Sequence, residues 1–329
     1  MNILLEYICD FFDRFLRLLE RPLLALQKVI GIHRMAYFFL APNMILFALF
    51  VFLPVGLAIA YAFTGGTEML IWNRPFVGLE NFRRLLSCSS YMDPATCEYD
   101  IFWTAIHNTG WYTALNVIGT LLISLATALV LNRLTRGKAF FRAVFFYPVL
   151  LSPVVIGLVW KWFLARNGLL NLFVENFGGE RIIFMLDVFW SRFWVVYISI
   201  WFQMGFYTLI ILAGLQAIPN DIYEAAQVDG TSRWRQFRKL TLPLLIPNLL
   251  VVTVLLLIRS VQVFDEAWVL TDGGGPGTAN TFIVQFIYQT AFNSEVRLYG
   301  LASAASVLMG LVLLVLTLVQ VWMSKKAEH

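Results

Sequence analysis

The residues best placed to do chemistry in this 329-residue chain lie between positions 216 and 243. Glu224, Ala225 and Ala226 stand together there, followed by Asp229, Gly230, Leu240, Leu242 and Pro243. No nucleophile–base arrangement accompanies them, so catalysis is not supported. Two alanines favour helix and are small enough for a partner to approach closely. Gly230 permits a left-handed turn at the end of such a helix. The expectation is a short helix from Tyr223 to Val228, N-capped by Asp221. A second stretch with Trp234, Phe237 and Leu240 on its apolar side leads to Pro243, which fits the first turn of a following helix.

Other chemistries are excluded or unsupported. No G-x-x-x-x-G-K-[ST] run occurs, because Gly137-Lys138 is followed by Ala139 and lacks the upstream glycine. His33, His107 and His329 are scattered, so no metal site is expected. Nucleic-acid binding is not expected either, since basic residues stand at the ends of apolar runs instead of forming an aromatic-rich patch. Arg259 is the sole charge deep in an apolar run, which argues against an ion or proton relay. Three readings of it stay open: contact with a solute, pairing with a carboxylate on a partner subunit, or snorkelling to the outer interface. Cys88 and Cys97 share one loop. They either form a disulfide closing about ten residues, worth about 2–3 kcal/mol to local order, or remain two free thiols.

The elements that must position these residues are membrane helices. The chain is 60% hydrophobic and only 13% charged, whereas a soluble domain has about 45–50% apolar and about 25% charged residues. Lipid is therefore the expected solvent. Stretches of about 20 or more residues, enough to cross a bilayer, run near 36–62, 106–131, 143–164, 193–215, 244–268 and 300–323. They are continuous rather than alternating, which selects helices over a barrel. The N-terminal segment, the loops at 132–142 and 216–243 and the C-terminus hold 15 of the 24 Lys and Arg residues, and the three intervening loops hold 8. The first set is expected in the cytoplasm, with both termini inside. The chain divides into an amphipathic surface helix over 1–35, a transmembrane domain over 36–323 with its loop at 216–243, and a tail over 324–329. The fold class is thus all-α integral membrane.

The loop 216–243 resembles the E-A-A-x3-G-x9-I-x-L-P signature of binding-protein-dependent ABC permeases, with Leu240 in place of Ile. Phe146–Phe163, followed by Gly168 and Asn171, is similar to the third span of the carbohydrate-uptake branch, of the maltose and glycerol-phosphate permease kind. Val263–Phe292 resembles that branch's fifth span and external loop, with one extra glycine in Thr271–Pro276. The likeness runs from about Tyr37 to the C-terminus.

The resemblance implies a type I ABC importer permease fold and a coupling role for Glu224, Ala225, Ala226, Asp229 and Gly230. It implies the first permease of a heterodimeric pair, two ATPase subunits that carry ATP and Mg, and a periplasmic solute-binding protein. The chain itself needs no cofactor and is not an enzyme. The family's cavity is built from the spans flanking the coupling loop. Those spans offer Trp201, Gln203, Phe206, Tyr207, Arg259, Ser260, Gln262, Phe264 and Asp265 to a sugar, as stacking faces and hydrogen-bonding groups. Arg259, Gln262 and Glu266 are expected on one helical face, where a guanidinium suits an anionic sugar derivative. Thr271, Asp272, Gly273, Gly274, Gly275 and Pro276 are expected as a flexible apron touching the binding protein. Alternatives are a polyol phosphate, amino acid or polyamine as solute, or a stand-alone secondary transporter. The expected location is the bacterial inner membrane.

Overall fold

The structure, a computed structural model, describes Gln27, residues 31–133 and residues 136–327. The expected surface helix lies almost wholly outside the described residues. Among them secondary structure is helical, apart from two isolated antiparallel bridges, Thr64 with Phe76 and Cys88 with Cys97.

The chain forms two compact units, Met1–Ala60 and Tyr61–His329. The described part of the first is α1 (Ile32–Phe47), a π-helical turn at Ala48–Phe52, and the start of α2 (Leu53–Ala62). Together they make a continuous apolar helix over Arg34–Ala62, long enough to cross a membrane. The turn has a simple cause. Pro54 has no N–H, and the ladder shifts so that Leu53 N–H reaches the Ala48 carbonyl.

The second unit holds α3 (Glu80–Leu86), α4 (Asp100–Arg133), α5 (Lys138–Phe146), α6 (Pro153–Phe163), α7 (Leu169–Asn176), α8 (Val188–Gln216), α9 (Asn220–Val228), α10 (Arg233–Gln236), α11 (Leu242–Val261), α12 (Asp265–Leu270), α13 (Ile283–Tyr288) and α14 (Tyr299–Ala327). With 34 residues, α4 is about 50 Å long and overreaches a hydrocarbon core of about 30 Å. Asp187 starts α8 by accepting from Trp190 N–H at 2.9 Å.

Two of the expected spans are broken. The expected span at 143–164 is α5 with a 3₁₀ turn (Tyr147–Leu150) and then α6, bent by 96°. Pro148 and Pro153 each remove a backbone donor, and Ser152, ahead of Pro153, is extended at φ −64°, ψ 136°. The expected span at 244–268 ends as a helix at Val261, and α12 restarts at Asp265. At the other end α11 is longer than expected. It is continuous with α10 through a π-helical turn at Phe237–Thr241, where Pro243 plays the part that Pro54 plays earlier.

Small residues bring helices together, as lipid requires. A Cβ on Gly205 of α8 would lie 2.0 Å from the Phe145 carbonyl oxygen, and one on Gly214 would lie 2.6 Å from the Asn248 amide. Polar side chains add interhelical bonds worth about 0.6 kcal/mol each. Asn116 Nδ2 donates to Ser260 Oγ at 2.8 Å, and Ser124 Oγ donates to the Met204 carbonyl at 3.0 Å. Two apolar clusters lie against α4 and α8: one, around Tyr112–Phe202–Phe282, takes in α6 and α12, and the other, around Tyr207–Ile211–Leu256, takes in α11. A third joins α4, α13 and α14 through Phe102, Phe286, Ala304 and Ala305.

The loop between α2 and α4 is a small structure of its own. Cys88 and Cys97 are joined by a disulfide. Arg84 Nε donates to Glu98 at 3.0 Å, and this carboxylate holds the Arg84 guanidinium above its ordinary pKa. With the bond in place, neither cysteine reacts with a thiol reagent in unreduced membranes, and both react after reduction. Labelling of either before reduction contradicts the pairing.

Candidate functional site

The region around the E-A-A residues is built from the chain's own turns. Helix α9 begins at Asn220 with Pro219 before it, so Asp221 sits in the first turn and is not the cap. Its charge still favours the N-terminal end. The C-terminal end closes as a Schellman motif. Gly230 N–H bonds the Gln227 carbonyl at 3.0 Å, and Thr231 N–H bonds the Ala226 carbonyl at 2.9 Å. Gly230 adopts φ +69°, the conformation this closure requires.

The helix has two faces. Glu224, Ala225 and Asp229 are exposed, whereas Ala226 is buried against its own chain. Ala226 therefore packs the helix down instead of presenting it, and the outward surface is narrower than the motif suggests. Tyr223 Oη lies 3.0 Å from Thr241 Oγ1, and Gln236 Nε2 donates to the Thr231 carbonyl at 2.9 Å. These bonds tie α9 and its following turn to the α10–α11 helix.

At the far end of α11 lies a second site, at the break Gln262–Phe264. The expected single helical face of Arg259, Gln262 and Glu266 does not exist. The helix stops at Val261, Phe264 takes φ −148°, ψ −68°, and Glu266 is buried on α12 while Arg259 and Gln262 are exposed. Arg259 forms no ion pair within 4.0 Å among the described residues. Ser260 is fully buried and accepts from Asn116, a helix-packing role.

The α8 residues are divided too. Gln203 and Tyr207, four apart, are buried, and the Gln203 Oε1 has no partner among the described residues. Phe206 is exposed on another face, and Trp201 packs edge-on against Trp160 with ring centroids 5.7 Å apart.

What the break does assemble is an aromatic strip. Phe264 stacks on Trp268 with centroids 5.4 Å apart, Tyr288 meets both at 5.3 and 5.2 Å, and Phe292 follows Tyr288 at 5.6 Å. Exposed Arg259, Gln262 and Asp265 lie close to it along the chain. Trp268 and Tyr288 were missed by sequence reasoning. The Phe264–Trp268 spacing of four was a readable signal, but Tyr288 comes from α13 and only the fold brings it here.

The glycine-rich loop is not a flexible apron. Thr271 Oγ1 accepts from Gly274 N–H at 3.0 Å, and Asn280 Nδ2 donates to the Gly275 carbonyl at 2.7 Å and to Ser191 Oγ. Gln289 Nε2 donates to the Gly273 carbonyl at 2.8 Å. Asn108 on α4 donates to the Thr278 and Thr281 carbonyls at 2.8 and 3.1 Å. Thr271, Gly274 and Asn280 are buried. Buried backbone must find partners, and here α4 and α8 supply them. Asp272, Gly277 and Thr278 remain exposed, and Asp272 pairs with Lys161 of α6.

Residues 98–329 match the family described as binding-protein-dependent transport system inner membrane component. The chain is 32% identical over 288 residues to the trehalose/maltose transport system permease of Thermococcus litoralis, covering 87% of this chain and 92% of that protein. It is 33% identical over 276 residues to the sulfoquinovosyl glycerol transport system permease of Agrobacterium fabrum, covering 84% and 86%. Among solved structures, a bacterial ABC transporter involved in import of the acidic polysaccharide alginate superposes with a TM-score of 0.77 at 26% identity, covering 92% of this chain and 99% of that one.

Proposed function

The chain belongs to the family of inner membrane components of binding-protein-dependent transport systems, and from that membership we propose that it forms half of the pathway for a sugar or sugar derivative. It is a multi-pass membrane permease of an ABC importer, and ATP hydrolysis resides on a separate subunit. In the proposed assembly a second permease completes the pathway. A periplasmic binding protein delivers solute at the side of Asp272, Gly277 and Thr278. Two ATPases carry ATP and Mg and receive the exposed Glu224–Ala225–Asp229 face. Both termini lie in the cytoplasm of a cell whose inner membrane holds the complex, in keeping with the distribution of Lys and Arg.

The observation that carries the sugar reading is the broken fifth span. It sets exposed groups able to bond hydroxyls, Gln262 and Asp265, close along the chain to the strip Phe264–Trp268–Tyr288. Sugar rings present C–H faces that suit aromatic rings and hydroxyls that suit amides and carboxylates. The names of the relatives, trehalose/maltose and sulfoquinovosyl glycerol, agree with that class.

A second reading narrows the class to anionic sugars. It is favoured by Arg259, exposed at the break without a carboxylate partner among the described residues. Sulfoquinovosyl glycerol and alginate, named for two of the similar proteins, are acidic. A thermal-shift screen of the cognate binding protein against neutral sugars, sugar acids, sulfonated sugars and polyol phosphates tests the class. Arg259→Gln then separates the readings. For an anionic solute, loss of the guanidinium lowers uptake about ten-fold or more, since a hydrogen bond to a charged group is worth about 1.5–3 kcal/mol. For a neutral sugar it leaves uptake within about two-fold. If the variant no longer co-purifies with its partner permease, Arg259 is an assembly residue and the anionic reading is lost.

A further inference from the structure

Two cavities adjoin on the coupling-loop side of the second unit. One, of about 690 Å³, lies between the ends of α4 and α8 and the α9–α10 turn. Its walls include Arg133, Lys138 and Arg233, and no Asp or Glu among the described residues. The other, of about 430 Å³, is a predominantly apolar groove containing Ala126, Val130 and Trp234. The two share Leu129, Arg133, Arg233 and Phe237, so they form one continuous site.

The arrangement has a direction. Leu129, Val130 and Arg133 follow Ala126 by three, four and seven residues and make one stripe of α4 with it. From Arg133 to Ala126 the helix rises about 10 Å. The basic end is thus at the end of the span, and the apolar groove runs from it toward the bilayer interior. Trp234 is 70% exposed beside the arginines, a residue type found at the membrane–water boundary. Neither Arg133 nor Arg233 forms an ion pair among the described residues, so two cationic groups meet at one rim without a carboxylate. Lys138 is already engaged. With the Gln216 amide turned to suit its neighbours, its oxygen accepts from Lys138 Nζ at 3.0 Å and Arg142 Nη2 at 2.9 Å.

We propose that this site binds an anionic phospholipid of the coupling-side leaflet, its phosphate between Arg133 and Arg233 and an acyl chain along Ala126 and Val130. An arginine pair recognises phosphate by charge-assisted hydrogen bonds, and basic pockets between helices on the cytoplasmic side are suited to lipid head groups. A soluble acidic peptide would use the arginines but leave the groove empty. A zwitterionic lipid would fill the groove but leave net positive charge at the rim. The inference rests on the membrane-permease reading alone and is independent of the solute. Because Arg233 stands three residues after Gly230, bound lipid buttresses the turn that follows the coupling helix.

The test uses the complete importer in nanodiscs of phosphatidylcholine, alone or mixed with phosphatidylglycerol, with retained lipid read by native mass spectrometry. Wild-type complexes retain phosphatidylglycerol preferentially. Each arginine near the surface is worth about five-fold in affinity, so Arg133→Gln with Arg233→Gln lowers retention about thirty-fold. Val130→Trp keeps both charges but fills the groove, and it also releases the lipid. Retention unchanged in both variants overturns the proposal. Displacement by inorganic phosphate as effective as by phosphatidylglycerol vesicles assigns the arginines to free phosphate and overturns it. So does a disulfide or short crosslink from Val130→Cys to the second permease, which means that a protein fills the groove.

Discussion

Replacing Gly230 with valine lowers solute uptake at least about ten-fold while the chain stays inserted and assembled. The reason lies in one dihedral angle. Gly230 holds φ +69° to close the Schellman turn, and a β-branched residue resists that region at a cost of about 1–3 kcal/mol. No atom lies within 4 Å of the site where its Cβ would sit. Steric overlap therefore contributes nothing at that atom, and the backbone effect is isolated. Relief comes by unwinding the end of α9, which releases the Gln227 and Ala226 carbonyls and lets Glu224 and Ala225 shift. Uptake into proteoliposomes falls at least about ten-fold, the equivalent of about 1.4 kcal/mol, while ATP hydrolysis by the complex becomes independent of the loaded binding protein. Asn, which tolerates the left-handed region, restores most of the uptake. Normal uptake by a stably inserted Gly230→Val chain contradicts the role given to this turn.

Replacing Gly274 with alanine disrupts the opposite end of the permease. Gly274 sits at φ +115°, and a Cβ there would lie 2.5 Å from Thr281 Oγ1 and 3.0 Å from Thr281 Cα. The conformation costs about 1–3 kcal/mol and the overlap about 1–3 kcal/mol more. The bonds that pin the loop then fail together, including Asn280 N–H to the Gly274 carbonyl at 2.9 Å. Since Asn108 and Ser191 are partners in that network, the N-terminal parts of α4 and α8 loosen as well. The expected result is a clear drop in melting temperature of the detergent-solubilised complex together with loss of uptake. Gly277→Ala in the same loop meets open space at φ +58° and is milder. Equal melting temperatures for Gly274→Ala and the wild type contradict the packed description of this loop.

The sequence carries the membrane fold because the apolar runs are long and lipid leaves them one way to satisfy their backbone. It also carries the coupling turn, because Gly230 must occupy a conformation few other residues accept. The break in the third span was readable in principle. Pro148 and Pro153 are both visible, but apolar continuity outweighed them. The break after Val261 was not readable. Gln262, Val263 and Phe264 contain no proline or glycine, and their departure from helix is set by how α12 packs on α6. There a Cβ on Gly157 would lie 3.0 Å from the Glu266 carbonyl oxygen. The same tertiary control explains why Arg259 and Glu266 part company and why Tyr288 joins the aromatic strip. Glycines in Thr271–Pro276 read as flexibility, yet they allow close approach of buried backbone instead. Ala226 illustrates the opposite error. A small residue in a docking motif is as easily there to pack its own chain.

The coupling role of α9 is tested most directly by a pair of single cysteines, Ala225→Cys and Ala226→Cys, in the assembled importer. Ala225 is exposed and Ala226 is buried. A short bifunctional reagent is expected to join Ala225→Cys to the ATPase subunit, with a yield that changes when ATP is added, while Ala226→Cys stays unreactive in the intact complex. Crosslinks from Ala225→Cys that reach only the second permease, or none at all in a complex that still imports solute, would contradict the claim that this helix couples the chain to its ATPase.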